Sequence, residues 1–178
     1  MLEGIIREST AKAYTKKLRR DGYLIANIYA KDAENINAAF VMGDFIRAVK
    51  KKDKLDFPVK VGEKVYNVVI QEYQFDSVTD LIKHVDLRVA TPGVVADYMV
   101  PVTTVGIPKG LKNKGVLISG KKRLKVRGDI VNIPKTIELD ISSLDVNSSI
   151  LVRDIDLGEN LKIMDKPAVA VVGVIKGK

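Results

Sequence analysis

The chain has 178 residues, is 46% hydrophobic, and carries 30 Lys and Arg against 22 Asp and Glu, for a formal net charge of +8. With no cysteine and one histidine it can hold neither a disulfide nor a thiolate or all-imidazole metal site, and an enzyme built on it would lack the usual general base. The charge favours polyanionic partners, no apolar run approaches a membrane span, and the N-terminus lacks a signal-peptide segment, so a soluble protein that stays where it is made is expected.

The basic residues do not form a tail but gather in residues 12–20, 50–54 and 109–127. Glu3 to Arg7 reads as an opening strand. Thr10 to Gly22 has helical spacing, with Tyr14 and Leu18 four apart and Gly22 as the stop. On that helix Lys12, Lys16 and Arg19 fall on one stripe, and like charges so spaced repel by a few tenths of a kcal/mol, roughly, per pair. A phosphate backbone would offset the repulsion; a solvated basic face is the plainer reading. Leu24 to Tyr29 reads as a strand. Ala39 to Lys50 reads as a strand end followed by a helix capped near Gly43 or Asp44, with Phe45, Ile46 and Val49 inward. The lysines of 50–54 are its solvated end. Residues 57–70 alternate across Gly62, which signals a hairpin.

The most informative stretch is 68–87. A β-branched run, Val68-Val69-Ile70, leads into Gln71-Glu72-Tyr73-Gln74, then a connection containing Asp76, Ser77 and Asp80, then a second strand. There, period two sets His84, Asp86 and Arg88 on one face and Val85 and Leu87 on the other. Gln71 and Gln74 are three apart, so they can serve one partner only if the strand bulges or ends near Glu72 or Tyr73.

Ala90-Thr91-Pro92-Gly93 is a break and divides the chain into domains 1–91 and 92–178. Beyond it short strands are expected at 98–105, 116–118, 124–126, 136–141, 149–155 and 168–174, with Ser142-Ser143-Leu144 opening one helical turn. Gly115 to Lys121 matches the spacing of a phosphate loop, but Lys122 stands where a Ser or Thr should hold magnesium, and a strand pattern follows instead of a helix. Asp140, Asp145, Asp154 and Asp156 read as turn and strand-edge residues, with no metal cage demanded. The run 109–127 has eight basic and no acidic residues; a solvated edge and a second RNA-facing patch are both open readings.

The Gln-x-x-Gln and His-hydrophobe-Asp segments resemble those of the bacterial 5S-rRNA-binding protein of the large ribosomal subunit, in its long two-domain form, the general stress protein CTC family. Arg7, Lys12, Thr15, Lys16, Leu18, Arg19, Ala26, Ile28 and Tyr29 stand at matching places of the family's segment, which ends Pro-Ala-hydrophobe-hydrophobe-Tyr-Gly. The likeness continues through Val100-Pro101-Val102, 133–144 and 152–157. Departures are Ala11 and Ala13 for Gly, Lys16 for Arg, Ile25 for Pro, Ala30 for Gly, Phe75 where a basic residue can occur, and Ser77 for Pro.

The resemblance implies a mainly β chain: an N-terminal small β-barrel, similar to the anticodon-binding domain of glutaminyl-tRNA synthetases, plus a C-terminal β-rich domain. It implies a cytoplasmic, ribosome-associated, non-enzymatic protein without cofactor or membrane, bound to 5S rRNA at the internal loop called loop E, with neighbouring ribosomal proteins as further partners. A monomer is expected in isolation. Its RNA-binding residues would be Arg7, Lys12, Thr15, Lys16, Arg19, Tyr29, Gln71, Gln74, His84 and Asp86. Lys12 and Lys16 would neutralise phosphates, because an ammonium cannot make a planar two-point contact. A tRNA-binding module and a stress-induced protein acting off the ribosome are the alternatives.

Overall fold

Alternating apolar residues and one Gly-centred turn start a sheet in the first half that closes on itself. In the computed structural model, which describes residues 1–30, 33–158 and 160–177, the chain divides into two units, Met1–Pro92 and Gly93–Lys178. The first contains β1 (Leu2–Ile6), α1 (Lys12–Arg20), β2 (Tyr23–Ala30), β3 (Ala33–Val41), α2 (Met42–Lys51), β4 (Phe57–Val61), β5 (Lys64–Phe75) and β6 (Ile82–Val89). Its strands form a closed barrel in the order β1-β3-β2-β6-β5-β4. β4 joins β1 in parallel, Val59 facing Leu2, and closure removes every free strand edge from this unit.

Inward residues fill the barrel: Leu24, Ala26 and Ile28 of β2, Ala38 and Phe40 of β3, Val59 of β4, Val68 of β5, Val85 and Leu87 of β6. Phe45 of α2, 1% exposed, packs with them, its ring 6.1 Å from Phe40 and 6.3 Å from Phe57. Cutting it to Ala would cost about 3–5 kcal/mol. Gly4 is needed beside it, since a Cβ there would lie 2.4 Å from the Phe40 ring. Val49 is partly buried as the spacing requires, but Ile46 is 36% exposed: the helix turns only its Phe45 side to the barrel. α2 also begins earlier than expected, with Val41 as its cap, so Gly43 and Asp44 sit in the first turn.

A second, smaller cluster lies outside the barrel. Leu18 of α1 packs on Ile25 of β2 and Ala39 of β3, flanked by Tyr14 and Tyr23. Helix cover on one side and the barrel core on the other explain why Leu24-Ile25-Ala26 and Ala38-Ala39-Phe40 are buried without alternation. α1 stops where Gly22 takes φ +84°, a left-handed conformation that costs glycine little.

The second unit carries two sheets, β10-β7-β9-β12 and β11-β13-β8. Its strands are β7 (Val95–Val105), β8 (Gly115–Ser119), β9 (Arg123–Asp129), β10 (Ile137–Asp140), β11 (Ser149–Leu151), β12 (Lys162–Ile163) and β13 (Ala170–Lys176). Tyr98, Val100, Leu124, Val126 and Val172 are among its buried residues. The strand expected over 149–155 ends at Leu151, because the Asp154 carboxylate accepts the Leu151 N–H at 2.9 Å and winds Val152–Asp154 into a 3-10 turn. Ser142 to Leu144 is a turn rather than helix, closed by Leu144 N–H donating to Ile141 O at 3.1 Å. The phosphate-loop look-alike is strand β8, a bend at Gly120, and strand β9.

Several of the basic residues in 109–127 are committed internally. Asp97 accepts from Arg127 Nε at 2.6 Å and Nη2 at 3.1 Å, with Lys125 Nζ 3.1 Å away. The Arg127 hydrogen bonds, ahead of Lys125, pull the Asp97 carboxyl down to about 2. Lys121 pairs with Asp165.

Candidate functional site

The outer face of β3, β2, β6 and β5 carries the polar residues of the first unit in register. One rung runs Asn37–Asn27–Asp86–Glu72 across the four strands. The next runs Ala39–Ile25–His84–Gln74, and on the far side of Asn27, Tyr29 faces Arg88. α1 covers only the Ala39–Ile25 part, so the Asn37–Asn27 rung is the first that its apolar side leaves uncovered.

β5 bulges here. Its register with β6 steps from Ile70↔Leu87 to Glu72↔Asp86, leaving Gln71 as the extra residue. Ile70 points inward and Glu72 outward, so the bulge places Gln71, Glu72 and Gln74 on one side despite their odd spacing. The connection to β6 is a tight Asx turn: the Asp76 carboxylate accepts from Val78 N–H and Thr79 N–H, both at 3.1 Å, and Asp80 takes φ +54°.

Two arginines tie α1 to this face. Arg7, following β1, donates from Nη2 to Asn37 Oδ1 at 3.2 Å and from Nη1 to Thr15 Oγ1 at 3.5 Å. Arg19 Nε donates to Lys83 O, beside His84, at 3.3 Å. Lys12, Lys16 and Arg19 are all exposed, and among the described residues none has a carboxylate within ion-pair distance. Burial, then the charges of Arg7 and Arg19, holds the His84 imidazole below its ordinary 6.5 against the pull of Asp86 and Glu72, so it is neutral at neutral pH. Burial and the Asp86 carboxylate push the Tyr29 hydroxyl above 10.0, keeping it a donor. The two carboxylates facing each other at Glu72 and Asp86 would repel, which makes this part of the face receptive to donors.

Three buried side-chain atoms among the described residues have no hydrogen-bond partner: Arg7 Nε, Asn27 Oδ1 and His84 Nδ1. All three lie at this face. His84 Nδ1 is 3.3 Å from Asp86 Oδ1 without the alignment of a hydrogen bond. A groove elsewhere, about 910 Å³ and lined by Arg47, Lys51, Phe57 and Asn67 among others, contains none of the ten residues picked out from the sequence. The candidate site is the outer strand face and not that groove. Sequence reasoning left out Asn27 and Asn37; the period-two set Ile25, Asn27, Tyr29 on β2 was the available signal.

Over all 178 residues the chain is 65% identical to the large ribosomal subunit protein bL25 of a Nitratiruptor species, covering 100% of both. The chain belongs to the ribosomal L25p family. It is also 58% identical to the bL25 protein of Wolinella succinogenes and 56% identical to that of Campylobacter lari, again over 178 residues and 100% of each chain. The family model for Ribosomal L25p matches residues 2–87 and that for the ribosomal protein TL5 C-terminal domain matches 96–178. The long, two-domain architecture of the resemblance is thus that of this L25p member, with the barrel in the L25p segment and the two-sheet unit in the TL5 segment.

Proposed function

We propose that this L25p chain is a non-enzymatic structural constituent of the large ribosomal subunit whose barrel binds 5S rRNA at its irregular internal loop, loop E. Family membership supports the ribosomal part, and the relatives are named as large-subunit proteins. The observation that carries the RNA part is the clustering of Arg7 Nε, Asn27 Oδ1 and His84 Nδ1, unsatisfied on one face beside a helix whose Lys12, Lys16 and Arg19 meet no carboxylate among the described residues. Atoms left without a partner are unfavourable, and a partner rich in donors and acceptors would satisfy them.

A regular A-form major groove is too deep and narrow for side chains, whereas non-Watson–Crick pairs widen it and expose unusual base edges. In this reading Lys12 and Lys16 hold phosphates, and Arg19, fixed by Lys83 O, sets the helix against the strands. Arg7, steadied by Asn37 and Thr15, offers a planar donor set. Gln71 and Gln74 supply both donors and acceptors, His84 a neutral ring and Asp86 an acceptor, to base edges or 2′-hydroxyls. Tyr29 stacks or donates from its protonated hydroxyl. The test is the affinity of the full chain for 5S rRNA relative to tRNA at several salt concentrations, since the phosphate contribution dominates at any single one. A clear preference for 5S rRNA is expected; equal affinity discards the reading.

A further inference from the structure

Asn27 is an odd residue for its place. Asn is disfavoured inside strands, and β2 is otherwise apolar, aromatic or small. It lies in register between Asn37 of β3 and Asp86 of β6, in the middle of the polar rung, and its Oδ1 is buried with no partner. Neither neighbour donates to it: the Asp86 carboxylate has no proton to give, and the Asn37 amide, whose Oδ1 accepts from Arg7, makes no hydrogen bond to Asn27 Oδ1. A residue selected for folding alone would not leave an acceptor stranded in the middle of a strand. Asn27 is nevertheless partly exposed and points outward, so only side chains need move for an outside donor to reach it.

We propose that Asn27 is a specificity-determining residue of this chain's RNA face, its Oδ1 accepting a hydrogen bond from an RNA donor. This rests on the 5S rRNA reading above. The donor is an exocyclic amino group of a base or a ribose 2′-hydroxyl; phosphates, which have no proton to give at neutral pH, are excluded. The role requires opposite effects on folding and binding. Asn27→Val removes the stranded oxygen and supplies an apolar, β-branched strand residue, so the free protein keeps or raises its melting temperature. The same change weakens 5S rRNA binding by roughly three- to tenfold, the range of one net hydrogen bond, without altering the salt dependence.

The experiment measures melting temperature and 5S rRNA affinity for the full chain, Asn27→Val, and Gln71→Ala as a control on the same face. Loop E duplexes with single 2′-deoxy or single inosine-for-guanosine substitutions then identify the donor. One substitution is expected to weaken the natural chain while leaving Asn27→Val unaffected: a deoxy position assigns the ribose, an inosine position the base amino group. Unchanged affinity of Asn27→Val, or a melting temperature that falls together with affinity, overturns the proposal and leaves the 5S rRNA reading standing. Failure of the natural chain to prefer 5S rRNA over tRNA overturns both.

Discussion

The two units carry similar basic character, and their most closely grouped cations differ in what they meet. In the second, Lys125 and Arg127 converge on Asp97 and Lys121 on Asp165, so three of the eight basic residues of 109–127 are held by two carboxylates distant in sequence. In the first, Lys12, Lys16 and Arg19 have no carboxylate partner among the described residues, and they adjoin a face with three unsatisfied polar atoms. A run of lysines is therefore a poor guide by itself. What distinguishes a face built for a partner is charge and hydrogen-bonding capacity left open after folding, because folding alone would have closed them.

The sharpest way to break this contrast is to remove a group from each unit. Asp86→Ala should weaken 5S rRNA binding by about 1–3 kcal/mol with its salt slope unchanged, as for loss of a base or ribose contact, while barely altering stability. Equal losses for 5S rRNA and tRNA would show that Asp86 reads nothing. Asp97→Asn should do the reverse: RNA affinity is unchanged, and stability falls by about 1–2 kcal/mol at neutral pH, allowing for the solvent around Arg127 and Lys125. Its folded-state value of about 2 lies below the ordinary 3.8, so its contribution is complete above 3.8 and vanishes as pH falls through about 2. Urea unfolding of both proteins across that range should give curves that converge in acid; a constant gap would refute the electrostatic account.

Local features were readable from the residues. The stop of α1 at Gly22, the hairpin at Gly62 and the outward set His84, Asp86, Arg88 each follow from φ preference or period two within a few residues. The bulge at Gln71 was legible only as a condition, because two glutamines three apart require it if they are to act together. The parallel pairing of β2 with β6 was not legible, since nothing in either strand specifies that Ile25 lies beside His84. Period two puts Asn27 on the side of Tyr29, but its isolation appears only once Asn37 and Asp86 flank it. In the second unit the two-residue β12 was too short to signal itself, and the Asp154 cap that ends β11 competes with a strand pattern that otherwise continues.

The smallest expected effect separates the two kinds of basic residue most directly. If Lys12 neutralises a phosphate, Lys12→Ala should reduce the dependence of log affinity on log salt by about one unit, the release of one counterion, and weaken binding to every RNA alike. Lys125→Ala, which removes a cation already paired with Asp97, should leave that slope unchanged and slightly lower stability instead. The pair of substitutions is informative because both delete one positive charge from the same chain, so net charge is matched and only the partner differs. Equal slope changes would mean that long-range charge and not the open stripe on α1 governs association, and the contrast between the two units would then carry no functional meaning.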